Sequence, residues 1–466
     1  MESKRELTKD MTKGPSARLL LVFALPLMLG NLFQQLYTMV DTIIVGQGVG
    51  INALASLGAS DWLNWMFIGF VTGITQGFSI IFAQFYGAGD AKSLRSSIGN
   101  ALVLTALAAI FFTVVGQLAI VPVLKLLETP ADIFAGSESY LRIMLGGVAV
   151  SLMYNFEAAL LRALGDSRTP LMAMITAALT NVALDLLFVL VFKWGIAGAA
   201  SATIIAQGVS VVYCFSAIRR IDMIRINRQD IGIHAAMSKR LLIVGLPIVF
   251  QNTMISIGGM ILQSVVNSYG FLFVAGYTAA NKLYGLLETA AISFGFAITT
   301  YTAQNLGAGN FKRIRKGMRN AVIMAIITSV VVSVCMLIFG RTILRLFISD
   351  ETGQVEEVLG IAYLYLSIMS WFLAVLYALH TYRSALQGLG NTVIPMLSGI
   401  MEFIMRTTAV MLLPRFVGEK GVFYAEVLAW TGATVILVTS YYAVRRKIEK
   451  KLKLQGREVL GSYDFI

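Results

Sequence analysis

Long apolar runs separated by short polar breaks dominate the chain. A run of about 20 residues with few charges is long enough to span a bilayer as a helix. Twelve spans are predicted: 17–45, 54–85, 96–121, 136–159, 170–192 and 197–218, then 241–268, 273–301, 318–340, 357–381, 393–414 and 421–444. Backbone amides at membrane depth must bond within their own segment, so runs of this length form helices. An all-α integral membrane protein is therefore expected. The first run follows a polar segment of mixed charge, exceeds a signal-peptide core in length and ends in no small-residue cleavage site. It is expected to remain as the first membrane helix.

The breaks alternate in charge. One set carries Lys92, Arg95, Arg162, Arg168, Arg219, Arg220, Arg225, Arg228, Lys239 and Arg240, the basic cluster from Lys312 to Arg319, and Arg383. The opposite set has only Lys125, Lys193, Arg341, Arg345, Arg415 and Lys420. Lys and Arg mark the cytoplasmic side of a short-looped membrane protein. Both termini belong to the basic set, so both are expected in the cytoplasm, with the chain in the inner membrane. Two cytoplasmic ends require an even number of spans, in keeping with twelve.

Three punctuated motifs recur in order. Leu-Pro at Pro26 returns at Pro247, Ala83-Gln84-Phe85-Tyr86-Gly87-Ala88-Gly89-Asp90 returns as Ala303-Gln304-Asn305-Leu306-Gly307-Ala308-Gly309-Asn310, and Leu164-Gly165-Asp166 returns as Leu389-Gly390-Asn391. The offsets are 221, 220 and 225 residues. The expected architecture is two pseudo-symmetric six-helix lobes. Six spans per lobe keep both in one orientation, with their symmetry axis along the membrane normal. The segments are then a cytoplasmic stretch 1–16, an N-lobe 17–218, an inter-lobe linker 219–240, a C-lobe 241–444 and a cytoplasmic tail 445–466.

Composition narrows the function. Hydrophobic residues make up 57% of the 466 and charged residues 13%, against about a quarter charged in a soluble domain. The net charge of +12 sits in loops and termini, where topology accounts for it, and nucleic acid is not an expected partner. Two cysteines, Cys214 and Cys335, lie inside apolar runs and form no disulfide framework or zinc spacing. With only His234 and His380 as histidines, no triad or metal centre is legible, which argues against a membrane enzyme.

The polar residues inside the spans carry the candidate chemistry. Ionisable groups at membrane depth mark pathways or sites by default. The first span places Asn31, Gln34, Gln35, Thr38, Asp41 and Thr42 at three- and four-residue spacing, one helix face. The fifth places Asn181 and Asp185 on one face, the fourth offers Asn155 and the sixth Thr203. Two carboxylates beside carboxamides and hydroxyls can load a proton or bind a hard cation such as Na+, here at Asp41, Asn181, Asp185 and Thr203. Pro26 removes a backbone donor and is the expected kink. In the second half, Gln251, Asn252 and Glu288 join Gln34 and Thr38 as candidate cleft-lining residues. Glu402 and Arg406, four apart, are expected to pair with each other. His380 reads as a helix-end histidine, and Glu157 is set aside as lying near the cytoplasmic edge.

The chain resembles the multidrug and toxic compound extrusion (MATE) family over about residues 15–450. The first span from Pro26 through Gln34-Gln35-Leu36-Tyr37-Thr38-Met39-Val40-Asp41, the segment Ala53-Leu54-Ala55, the paired Gly-Ala-Gly loops and Arg162-Ala163-Leu164-Gly165-Asp166 carry the likeness. It is nearest the DinF-like prokaryotic branch, whose N-lobe coupling positions are filled here by Asp41, Asn155, Asn181, Asp185 and Thr203. Pro26 fills the position of that branch's bending proline. The NorM-like branch carries carboxylates on its seventh and tenth spans, where this chain has Gln251 and no acid in the apolar part. The resemblance implies an antiporter that exports small cationic, amphipathic compounds in exchange for H+ or Na+, without a cofactor, working as a monomer in membrane lipid. A lipid-linked oligosaccharide flippase of the same superfamily is the rival reading.

Overall fold

The computed structural model describes residues 8–126, 129–345 and 354–455. The outermost parts of the expected cytoplasmic ends, 1–7 and 456–466, lie outside them. The described residues are helical almost throughout: α1 (Ser16–Gly48), α2 (Ile51–Gly87), α3 (Ala91–Leu126), α4 (Ala131–Gly146), α5 (Val148–Ala163), α6 (Arg168–Asp185), α7 (Gly195–Ile218), α8 (Ala235–Asn267), α9 (Phe271–Gly307), α10 (Phe311–Arg345), α11 (Val355–Trp371), α12 (Leu373–Gly388), α13 (Val393–Leu412), α14 (Pro414–Val417) and α15 (Gly421–Gln455). Nine apolar segments among them can cross a bilayer by length and composition, and the bent pairs α4–α5 and α11–α12 make two more. One of the nine, Val393–Lys450, contains both α13 and α15, which pack against each other, so the spans number twelve.

The fourth and tenth spans, expected as single helices, are each broken. They bend by 49° at Gly147 and by 50° at Phe372. These positions are 225 residues apart, the offset of the third sequence motif, so the bend is part of the repeat.

The repeated loop motifs are helix stops followed by helix starts. Gly89 and Gly309 both adopt φ +69°, and Gly165 and Gly390 adopt +86° and +81°. That left-handed region is open to glycine at no steric cost and ends a helix. The next residue opens the following helix: Asp90 Oδ1 accepts the Ser93 amide at 3.0 Å, and Asn391 Oδ1 accepts that of Ile394 at 3.2 Å. Hydrogen bonds from the Ser93 hydroxyl and amide hold the Asp90 carboxyl below its ordinary pKa, so that cap is intact above the usual carboxylate range and is lost as pH falls through the lowered value.

Two compact units divide the chain. Among the described residues, unit 1 holds Leu25–Val249 and those up to Asp10; unit 2 holds Met11–Ala24 and those from Phe250 onward. The 219–240 segment thus falls wholly in unit 1. Helices α1 and α8 each change unit, between Ala24 and Leu25 and between Val249 and Phe250, beside the two repeated prolines.

Equivalent residues anchor the start of each crossing helix. In unit 2, the Met11 amide donates to Gln304 Oε1 (2.8 Å), Arg313 donates to the Gly14 carbonyl (2.9 Å) and Asn320 donates to Ser16 Oγ (2.7 Å). In unit 1, Arg240 donates to Gln84 Oε1 (3.1 Å), while Asn100 Oδ1 accepts the His234 amide (2.7 Å) and Ser238 Oγ (3.1 Å). Gln84 and Gln304, and Asn100 and Asn320, are each 220 apart. The repeat therefore extends to side-chain contacts that were not singled out in the sequence.

Within unit 1, α2 and α8 cross backbone to backbone. A Cβ at Gly77 would stand 2.3 Å from Gly245 Cα. Small residues permit such approach in membrane helices, where dispersion and not hydrophobicity holds helices together. Gly77→Val is expected to cost at least ~2 kcal/mol, because the obstruction is backbone and cannot rotate away. Melting of the detergent-solubilised variant checks this; an unchanged transition contradicts the packing argument.

Candidate ion-coupling site

Four of the predicted residues converge in unit 1. Helix α6 brings Asn181 and Asp185 to one face and then passes into a π-helical stretch, Leu186–Val191. The Phe192 amide bonds the Leu187 carbonyl at 2.8 Å, a five-residue step. Such π turns often accompany functional sites. Phe188 anchors this one, stacking on Trp194 with ring centroids 4.7 Å apart. Gly198 of α7 lies so close that a Cβ there would approach Phe188 to 3.1 Å. The packing fixes the start of α7 and, two turns on, Thr203. Asn181 donates to Thr203 Oγ1 at 3.4 Å.

Asp41 reaches this group from α1, its carboxyl beside that of Asp185. Asp185 is fully buried and Asn181 is 1% exposed. Asp41 Oδ1, Asn181 Oδ1 and both Asp185 oxygens are buried without a hydrogen-bond donor. Among the described residues no Lys, Arg or His lies within ion-pair distance of either acid. A cavity of about 20 Å³ adjoins the cluster, lined by Tyr37, Ala177, Asn181, Thr203, Ala206 and Gln207, with room for about one water. Acceptor oxygens with no donor suit a proton or a hard cation. No group of three or more His, Cys, Asp or Glu suited to a metal occurs among the described residues.

Asn155 stands one step away. Its amide donates to the Ser151 carbonyl at 2.9 Å on its own helix, and Ser151 Oγ donates to Gln207, which lines the cavity. Gln34 and Thr38 are exposed on α1, where Thr38 bonds back to the Gln34 carbonyl. Gln207, a polar residue of the sixth span, joins the cavity, as does Tyr37 of the first. Glu157 is 3% exposed with Oε2 lacking a donor, a burial that its distance from the span centre did not suggest.

Unit 2 is built differently at the equivalent place. The 225-residue offset carries Asn181 to Arg406 and Ala177 to Glu402. Arg406 bonds Glu426 at 2.8 Å and lies 3.9 Å from Glu402. Glu402 pairs more closely with Arg383, which also reaches Ser398 at 3.3 Å. The expected Glu402–Arg406 pair exists but is the weaker arm of a four-member network. Arg383, assigned to the cytoplasmic loops by charge, is buried at 6% exposure on α12. Gln251 is buried at 3%, its Oε1 3.4 Å from Gln387 Nε2, with Gly399 packed on it, so it lines no open surface. Asn252 is half-buried and partnered. Glu288 is half-buried on α9, with its Oε1 3.7 Å from His380 Nε2, so His380 has a carboxylate partner.

Comparison with known proteins places this geometry. The sequence pattern of the MatE family matches residues 26–187 and 247–409, one block in each half. The chain is 33% identical over 343 residues to the probable multidrug resistance protein YpnP of Bacillus subtilis (strain 168), covering 73% of this chain and 76% of that protein. It is 27% identical over 397 residues to the probable multidrug resistance protein NorM of Thermotoga maritima, covering 84% and 83%. A solved MOP superfamily transporter from Pyrococcus furiosus superposes with a TM-score of 0.89 at 22% identity, over 96% of this chain and all of that one, which supports the fold.

Proposed function

This chain belongs to the MatE family, the multidrug and toxic compound extrusion proteins, and on that premise we propose that it is an antiporter exporting cationic, amphipathic small molecules in exchange for H+ or Na+. It is a multi-pass membrane protein, and in this reading it sits in the cytoplasmic membrane with both termini inside. The observation that carries the reading is a charge imbalance. Acids in the interior of unit 2 face basic partners, whereas Asp41 and Asp185 have none. An unpaired buried carboxylate pair is costly unless a cation or proton completes it.

Asp41 and Asp185 are the coupling acids, Asn181 and Thr203 supply further oxygens, and Asn155 acts through Ser151 and Gln207. Loading the pair with H+ or Na+ removes the charge that holds a cationic substrate. The loaded and unloaded chain then favour different conformers, since a ligand shifts an equilibrium by its differential affinity. Pro26 is the hinge: it lacks the amide that would bond back one turn, and α1 changes unit one residue before it. Pro26→Ala restores that bond and is expected to slow transport roughly tenfold while leaving melting unchanged or raised. Unaltered transport by this variant would remove Pro26 from the cycle.

The family-level test is drug susceptibility. Expression in a bacterial strain stripped of efflux pumps should raise resistance to cationic dyes, and a protonophore or sodium removal should cancel it. Unchanged susceptibility to a panel of cationic dyes, with the protein confirmed in the membrane, would contradict the substrate class.

A further inference from the structure

Helix α10 is the most apolar of the nine candidate spans among the described residues and the least covered, with 11% of its most apolar stretch buried. Ile314, Met318, Ala321 and Ala325 form its buried side. On the other side Ile323, Ile326, Val330 and Val334 stand exposed at three- and four-residue spacing, one helix face. A face of that kind in a membrane protein meets lipid. Arg315, Lys316 and Arg319 continue the same face toward the start of the helix, and all three are exposed. Between Arg319 and Arg341 the helix carries no charge. At about 1.5 Å per residue that stretch rises roughly 33 Å, close to the hydrocarbon thickness of a bilayer. Arg319 therefore sits at the hydrocarbon edge, with Arg315 and Lys316 about one turn further out, at headgroup depth.

The two ends of α10 differ in how their charge is answered. At the far end Arg341 pairs with Glu356 at 2.7 Å, and Arg345 lies 4.0 Å from the same carboxylate. At the near end Arg313 turns inward, donating to Asn305 Oδ1 at 3.0 Å and to the Gly14 carbonyl at 2.9 Å. Arg315, Lys316 and Arg319 have no acidic partner among the described residues, and α10 itself contains no acid. The internal repeat shows that the fold does not require this face to be open. The 220-residue offset carries Arg319 to Gly99 on α3, where the Asp230 carbonyl of the linker leaves no room for a Cβ. The linker covers the start of α3 at that point, whereas Arg319 on α10 is exposed.

We propose that Arg315, Lys316 and Arg319 form a docking ridge for the phosphate-bearing headgroup of an anionic phospholipid, whose acyl chains run along the apolar stripe below. Arginine presents a planar fork of donors that matches phosphate, and lysine adds a point charge. Each Lys or Arg near an anionic surface contributes about fivefold in affinity. Cations that serve topology alone stand in water beyond the helix, but these three stand on the face that lipid covers. The inference needs only a membrane-spanning chain, so it is independent of the exported substrate and of the coupling ion.

The test counts lipids retained by the purified full chain in nonionic detergent, by native mass spectrometry, as phosphatidylglycerol or phosphatidylcholine is added. Wild type should retain phosphatidylglycerol more tightly, by on the order of 100-fold for three charged contacts. Arg319→Gln should lower that preference about fivefold, and Arg315→Gln/Lys316→Gln/Arg319→Gln should remove most of it. Arg315→Lys/Arg319→Lys keeps the charge and should keep most of the preference, which is the control for folding. Arg219→Gln/Arg220→Gln/Arg225→Gln removes the same charge from exposed linker positions and should leave the preference unchanged. Inorganic phosphate at the lipid's concentration should not compete. A wild-type preference in the α10 triple variant would overturn the proposal. An equal loss in the linker triple variant would do so too, by showing that net charge selects the lipid, and competition by inorganic phosphate would assign the ridge to the free ion instead. Because this readout needs neither drug nor gradient, its failure leaves the antiport reading standing, and a failure of gradient-driven transport leaves this one.

Discussion

Asp41→Asn and Asp185→Asn are each expected to cut gradient-driven transport by roughly 100-fold, the upper end of an ordinary coupling energy between two ligands. The amide keeps the size of the carboxyl but cannot take up a proton or offer a full negative charge. The acids are side by side, and one oxygen of Asp41 and both of Asp185 are buried without a donor, so neither is needed to neutralise a basic neighbour. Their replacement should therefore leave folding intact. Asp185→Asn removes a fully buried charge and should melt at or above the wild-type temperature. This pairing of lost transport with retained stability distinguishes a coupling role from a structural one. A variant that loses both would mean that the acids hold helices together; a variant that loses neither would exclude them from the cycle.

The largest stability effect is expected in unit 2. Glu402→Ala leaves the Arg383 guanidinium with only the Ser398 hydroxyl, and Arg406 with Glu426 and the Ile255 carbonyl. Breaking one member of a buried charge network costs about 3–5 kcal/mol, because the remaining charge stays desolvated. Low yield and a sharply lowered melting temperature are the expected results. Arg383→Met combined with Glu402→Met removes both charges and should recover most of the loss, since a buried ion pair and an apolar pair of similar volume are often near equal. A double-mutant cycle measures the coupling. A stable Glu402→Ala protein would show that the network is not closed in the membrane.

The contrast between these two outcomes reflects what the repeat preserves and what it does not. Legible from the sequence were the features set by local chemistry. Apolar runs gave the spans, and glycines at positive φ followed by Asp or Asn gave the helix stops and starts at Gly89-Asp90 and Gly309-Asn310. Asn181 and Asp185 share a face because helical spacing alone puts them there, and Asp41 and Thr203 join them as the first and sixth spans converge. Less visible were features that depend on packing. Arg383 looked like a loop cation because it precedes the Gly390 turn by seven residues, yet α12 continues to Gly388 and its partner Glu402 lies on the next helix. Periodicity does not report that Arg406 prefers Glu426, twenty residues away, to Glu402 at four. The π-helical turn after Asp185 has no signature in a run of Leu-Leu-Phe-Val-Leu-Val, and only its contact with Trp194 and Gly198 explains where it sits.

Purified protein in liposomes loaded with a fluorescent cationic dye, with a pH gradient and a sodium gradient imposed in separate experiments, tests the central claim most directly. Dye movement driven by one gradient and lost in Asp41→Asn is the predicted result, and it names the coupling ion. Dye movement of wild-type rate in Asp41→Asn, or none in folded wild-type protein under either gradient, would contradict the account.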